Sequence, residues 1–248
     1  MASVELFWKL SPSDIVLGDG EAHVWCVELD QSPSRTDKLF QLLSEEEQQR
    51  AKQFRFEEKR GHFIVGRATL RQLIGGCLKA SPAALEFSYT QRGKPELAGA
   101  LAGKVHFNVS HSDSLALIAL TRVCPVGVDV ERVRPRQYDM EIARRFFTAR
   151  ESAGLESLQE AERPSAFFNL WTRKEAWLKA TGVGISESLG RVEISFLPGE
   201  PACVVSVVDK PEEAKEWTLV ELKPAKGFVG ALAIRARGLN VRCWQWVE

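Results

Sequence analysis

The chain has 248 residues, 44% hydrophobic and 27% charged, a balance that excludes disordered and fibrous classes and leaves room for one large domain or two modest ones. Its 33 lysines and arginines equal its 33 aspartates and glutamates, so no overall charge draws it to nucleic acid or to an anionic membrane. Five cysteines, odd in number and widely spaced, fit neither a zinc site nor a disulfide framework, and the longest apolar run, Leu115 to Leu120, falls far short of the roughly 20 residues of a membrane span. With no basic start and apolar stretch at Met1 to Asp14, the expected setting is the cytoplasm.

In chain order, Val24 to Leu29 predicts a short strand, and Ser44 with Glu47 has the spacing of a capping box that opens a helix. A second helix is predicted over 60–75 by Phe63, Leu70, Leu73 and Ile74, with Gly75 and Gly76 as its stop. Lys104 to Ser110 alternates as a strand, with Val105, Phe107 and Val109 on one face and His106, Asn108 and Ser110 on the other. Ser112, Asp113 and Ser114 read as a turn into a buried strand, Leu115 to Thr121, and Val126 to Val130 follows as a third.

The second half repeats this grammar. Thr148 and Glu151 have capping-box spacing again, Arg163 to Ala180 predicts a long helix ending at Gly182, and strands are expected at 192–196, 203–208, 217–222 and 228–234. Two similar α+β halves, 1–125 and 126–248, closely packed and with a ligand site between them, are the economical reading.

Four clusters can carry chemistry. In Gly127-Val128-Asp129-Val130-Glu131 the two carboxylates share one strand face, where they need a cation or basic groups; magnesium, an oxygen-loving ion, fits that need, and a solvated strand end fits the same spacing. Glu175 and Lys179 lie four apart on the later helix, beside Phe168, Trp171 and Leu178, so that they can act as base and acid at the core's edge or form a plain surface ion pair. His111, after Ser110 at a strand end, can donate to a phosphate or be a structural histidine of a turn. Adjacent strand residues point apart and no G-x-S-x-G elbow surrounds Ser110, which sets a serine hydrolase aside. Arg92-Gly93-Lys94-Pro95 is a basic turn open to phosphate, and Arg60, Arg67 and Arg71 add guanidinium donors, although helix arginines are commonly just solvated.

Together and in this order, R-G-K-P, F-N-V-S-H-S, G-V-D-V-E and W-T-R-K-E-A-W-L-K-A-T-G-V-G resemble the signature set of the Sfp-type 4'-phosphopantetheinyl transferases, in the subgroup with Trp171 and Lys174-Glu175-Ala176 in the last motif. The resemblance spans about Arg60 to Gly184. It implies a pseudo-twofold α+β fold that holds coenzyme A between its halves, and transfer of the 4'-phosphopantetheine arm to a serine of an apo acyl or peptidyl carrier protein, leaving 3',5'-ADP. It implies Mg2+ held by Asp129, Glu131 and Glu175, with Ser110 and His111 near the 3'-phosphate and adenosine. Arg92, Lys94 and Pro95 would form a phosphate-binding turn, Lys174 and Lys179 would contact the pyrophosphate, and Arg60 would add a further phosphate contact. Glu175 is the expected base, Lys179 the group that meets the departing diphosphate, and a monomer the expected state. A non-catalytic carrier or coenzyme A binding module, and a metal-dependent phosphodiesterase, are the rival readings.

Overall fold

The computed structural model describes residues 7–91, 93–134, 139–183 and 189–247. The first half runs β1 (Trp8–Leu10), β2 (Glu21–Glu28), α1 (Pro33–Phe40), α2 (Glu45–Lys52), α3 (Glu57–Leu78), the hairpin β3 (Phe87–Tyr89) and β4 (Pro95–Leu97), then β5 (His106–Ser112) and β6 (Leu115–Thr121). The second runs β7 (Val126–Arg132), α4 (Asp139–Phe146), α5 (Ala149–Ser157), α6 (Arg163–Thr181), the hairpin β8 (Val192–Ile194) and β9 (Val204–Val207), then β10 (Thr218–Leu222), β11 (Phe228–Ile234) and β12 (Asn240–Gln245). From β2 to β6 and from β7 to β11 the order is the same: strand, three helices, hairpin, two strands.

Sheet pairing repeats too. The first sheet orders β1-β12-β2-β6-β5 and the second β10-β11-β7, so β2-β6-β5 and β7-β11-β10 are equivalent antiparallel triplets. β12, which the sequence pattern does not announce, crosses the divide at 125/126 and pairs parallel to β1 and β2 in the first half's sheet. The segment 126–248 is therefore not a self-contained second half.

Alternation explains the layering. On β2 and β6, Trp25, Val27, Ile118 and Leu120 pack under α3, whereas Val24, Cys26, Leu117 and Ala119 face Val126, Val128, Val130 and Leu232 of the second sheet. Ala231 and Ala233, on the opposite face of β11, lie under α6. The result is helix, sheet, sheet, helix, which is why β6 is buried at every position and reads as an unbroken apolar run. Both capping boxes form, Ser44 with Glu47 and Thr148 with Glu151. α3 runs past its expected stop to Leu78: Gly75 serves packing, since a Cβ there would stand 2.7 Å from the Ala80 carbonyl oxygen.

Candidate active site

The site begins with a missing side chain. At Gly127 on β7 a Cβ would lie 1.9 Å from the carbonyl oxygen of Ala176 and 2.5 Å from the amide nitrogen of Ala180, so only glycine lets the backbone of α6 settle directly onto the strand. That approach brings the α6 face carrying Glu175 and Lys179 beside the β7 face carrying Asp129. Lys179 Nζ donates to Asp129 Oδ1 at 2.7 Å, to Ser110 Oγ at 3.0 Å and to the Val128 carbonyl at 3.2 Å. The expected Glu175–Lys179 pair thus has a different geometry: the ammonium is bonded to Asp129 on the neighbouring strand.

β5 supplies the other wall. It is the edge of the first sheet and β7 the edge of the second, and side chains of one β5 face bridge them. Asn108 Oδ1 accepts the Val128 amide at 2.9 Å, Ser110 Oγ donates to Asp129 Oδ1 at 2.7 Å, and Ser112 Oγ donates to Glu131 Oε2 at 2.9 Å while accepting the Arg132 amide. Ser112 was expected in a turn, yet β5 continues through it and Asp113-Ser114 alone makes the reversal. Its role was visible in the period of two, since it continues the face of Asn108 and Ser110. His111, on the alternate face, keeps part of its surface exposed while its ring is partly withdrawn from bulk water; that withdrawal, then the nearby Lys179, Lys59 and His62, holds the imidazole below the usual range and favours the neutral ring.

Asp129 and Glu175 are each only 5% exposed, and Asp129 Oδ2 and Glu175 Oε1 are buried with no hydrogen-bond partner. A buried oxygen of this kind costs about 1–3 kcal/mol, more when charged. Burial, reinforced by Asp129 and Glu131 and opposed by Lys179, pushes the Glu175 carboxyl up to about 7. Among the described residues no group of three or more His, Cys, Asp or Glu stands ready to hold a metal ion. Lys179 takes up Asp129 Oδ1 and Ser112 takes up Glu131 Oε2. What fits a divalent cation here is narrower than the expected three-carboxylate set, namely the two donor-less oxygens of Asp129 and Glu175 within a mutually repelling carboxylate group.

The other expected residues divide. Lys174 does not face the site: it is fully buried, with Nζ 2.7 Å from Glu151 and donating at 2.6 Å to the Leu189 and Val192 carbonyls. Adjacent helix positions lie about 100° apart, so Lys174 and Glu175 cannot serve one ligand from the same face. Lys94 donates to the Lys179 carbonyl at 2.8 Å and the Val126 carbonyl at 3.3 Å, clipping the hairpin of the first half to the end of α6 and the start of β7. Pro95 begins β4 opposite Tyr89, while Arg92 and Gly184 lie outside the described residues. Arg60 is not brought to the carboxylates; it pairs with Glu57 and lines a cavity of about 280 Å³ beside α1 with Asp30, Asp37 and Glu58, surroundings that disfavour phosphate. Arg71 is neither solvated nor available, being 1% exposed and bonded to Glu47, which Arg67 also approaches.

Residues 125–233 match the model of the 4'-phosphopantetheinyl transferase superfamily, and residues 30–122 match the model described as 4'-phosphopantetheinyl transferase, N-terminal. The 4'-phosphopantetheinyl transferase HetI of Nostoc sp. is 39% identical over 240 residues, covering 96% of this chain and 98% of that one. The chain belongs to this family. The two model matches fall on the two repeated halves, and the edge strands β5 and β7, one from each half of this 4'-phosphopantetheinyl transferase, contribute one wall each to the candidate site. The transferase Sfp of Bacillus subtilis is 28% identical over 188 residues, 72% of this chain and 82% of that one. Among solved structures, the match to Helicobacter pylori holo-[acyl-carrier-protein] synthase in complex with coenzyme A covers 44% of this chain and 97% of that one, at 18% identity and a TM-score of 0.34. No helix among the described residues is long and apolar enough to cross a membrane.

Proposed function

We propose that this transferase moves the 4'-phosphopantetheine arm of coenzyme A onto a serine hydroxyl of an apo acyl or peptidyl carrier protein, with Asp129 and Glu175 holding a Mg2+ ion and Glu131 beside them. The observation that carries this reading is the pair of buried, donor-less oxygens, Asp129 Oδ2 and Glu175 Oε1, on a helix and strand locked together at Gly127. A bound divalent ion neutralises the charge of a diphosphate and of its leaving group.

The chain's own residues do the rest. Glu175, which a bound ion would keep as a carboxylate, takes the proton of the attacking serine hydroxyl. The serine oxygen forms its bond to the β-phosphorus as the bond to 3',5'-ADP breaks. Lys179, already bonded to Asp129 and Ser110, carries the positive charge that meets the departing phosphate. His111, exposed next to this ammonium, offers a neutral ring to the 3'-phosphate end of coenzyme A. Ser110 orients Asp129 and Lys179, and Lys94 fixes the end of α6 with one proton left for a phosphate.

Incubation with Mg2+, coenzyme A and an apo carrier, followed by mass spectrometry of the carrier, tests the reading. Covalent gain of one phosphopantetheine is expected from the native chain and none from Asp129→Ala or Glu175→Ala. Hydrolysis of coenzyme A without gain marks a phosphodiesterase, binding without gain marks a carrier-recognition module, and near-native transfer by either variant removes the two carboxylates from the mechanism.

A further inference from the structure

The two halves share a buried staple. In each, the glutamate of a capping box reaches a cation seven residues before the end of the following long helix: Glu47 accepts from Arg71 Nε at 2.7 Å, and Glu151 lies 2.7 Å from Lys174 Nζ. Each cation also donates to two carbonyls of the segment after its helix, Arg71 to Pro82 and Leu85 and Lys174 to Leu189 and Val192. All four charged side chains are at most 5% exposed. In the first half the residue after Arg71 is Gln72, which carries no ionisable group. In the second, the residue after Lys174 is Glu175.

Glu175 faces a difficulty that the staple resolves. Its carboxyl lies beside Asp129 with one oxygen lacking a donor, an arrangement that a freely turning helix would relieve by rotating it toward water. Two consecutive side chains and one backbone contact prevent the rotation: Arg173 is tied to the Ser195 carbonyl and Glu221, Lys174 to Glu151 and its two carbonyls, and the α6 backbone rests on Gly127. We propose that the Lys174–Glu151 staple positions Glu175, holding its carboxyl against Asp129 for the transfer step, while the equivalent Arg71–Glu47 staple serves folding alone. This rests on the role assigned to Glu175 above. Lys174 is a positioning residue and touches no substrate.

The repeat supplies its own control. Glu151→Gln and Glu47→Gln each keep the capping-box geometry, since glutamine serves at that position, and each remove one buried ion pair. Transfer rates are measured at saturating carrier over a range of coenzyme A concentrations, at a temperature where both variants remain folded. Hydrogen exchange of α3 and α6 is read in parallel. The expected result is faster exchange in α3 for Glu47→Gln and in α6 for Glu151→Gln, similar losses in thermal midpoint, and a kcat about 10- to 100-fold lower in Glu151→Gln alone with KM for coenzyme A little changed. Should Glu151→Gln not fold, Lys174→Arg, which keeps the charge but shifts the anchor, is expected to show the same fall in kcat against Arg71→Lys. Equal kcat in the paired variants, with both helices loosened, overturns the proposal. A native chain that transfers nothing instead defeats the role of Glu175, and α6 exchange unmoved in Glu151→Gln defeats the staple whatever the activity.

Discussion

Glu175 is the residue on which the chemistry and its cost meet. Its carboxyl is pushed up to about 7 first by burial and then by Asp129 and Glu131, so between the ordinary carboxylate range and neutrality the folded chain holds a proton that the unfolded chain has released. The folded state binds more protons there, and stability contributed by this group falls as pH rises through that window. Glu175→Gln removes the ionisable group while keeping the shape. In chelator, denaturant unfolding is expected to show Glu175→Gln more stable than the native chain at pH 8 by about 1–3 kcal/mol and nearly equal to it at pH 5. A variant less stable than the native chain at both pH values would mean that the carboxylate is not strained.

At the scale of elements, the decisive contact is α6 on β7, and a glycine makes it. Gly127→Ala would put a methyl within the van der Waals radius of the Ala176 carbonyl, a backbone atom that cannot swing away, so a loss of at least about 3 kcal/mol in unfolding free energy is expected. Transfer should fall as well, because a helix lifted off the strand carries Glu175 and Lys179 away from Asp129; calorimetry and the carrier assay read the two effects. Alternation made much of this legible: β5, β7 and β11 and the two long helices follow from period two, helical spacing and the capping boxes. The phosphate role that the resemblance implied for Lys174 does not fit its burial, and linear sequence does not reveal that Glu151, 23 positions earlier, meets it in the core. Arg71 and Glu47 hid a buried pair in the same way. The placement of Asp129 on a strand face and of Glu175 on a helix face was legible from strand and helix spacing, but not the hydrogen bonds by which Lys179 takes up an Asp129 oxygen and Ser112 a Glu131 oxygen.

For the whole molecule, the repeat from β2 to β6 and from β7 to β11 explains why the site lies where it does: β5 and β7, the edge strands of the two sheets, meet there through Asn108, Ser110 and Ser112 rather than through a backbone ladder. One half alone offers neither both walls nor, without β12, a complete first sheet. β12 escaped sequence reading because Asn240 to Gln245 mixes polar and apolar residues at a sheet interior position that only the folded first half creates. Everything chemical in the account depends on a divalent ion seated on Asp129 and Glu175. Manganese binding, followed by electron paramagnetic resonance with coenzyme A present, tests that dependence most directly. One bound ion per native chain, lost in both Asp129→Asn and Glu175→Gln, is the predicted result; an ion bound with native affinity by both variants would contradict it.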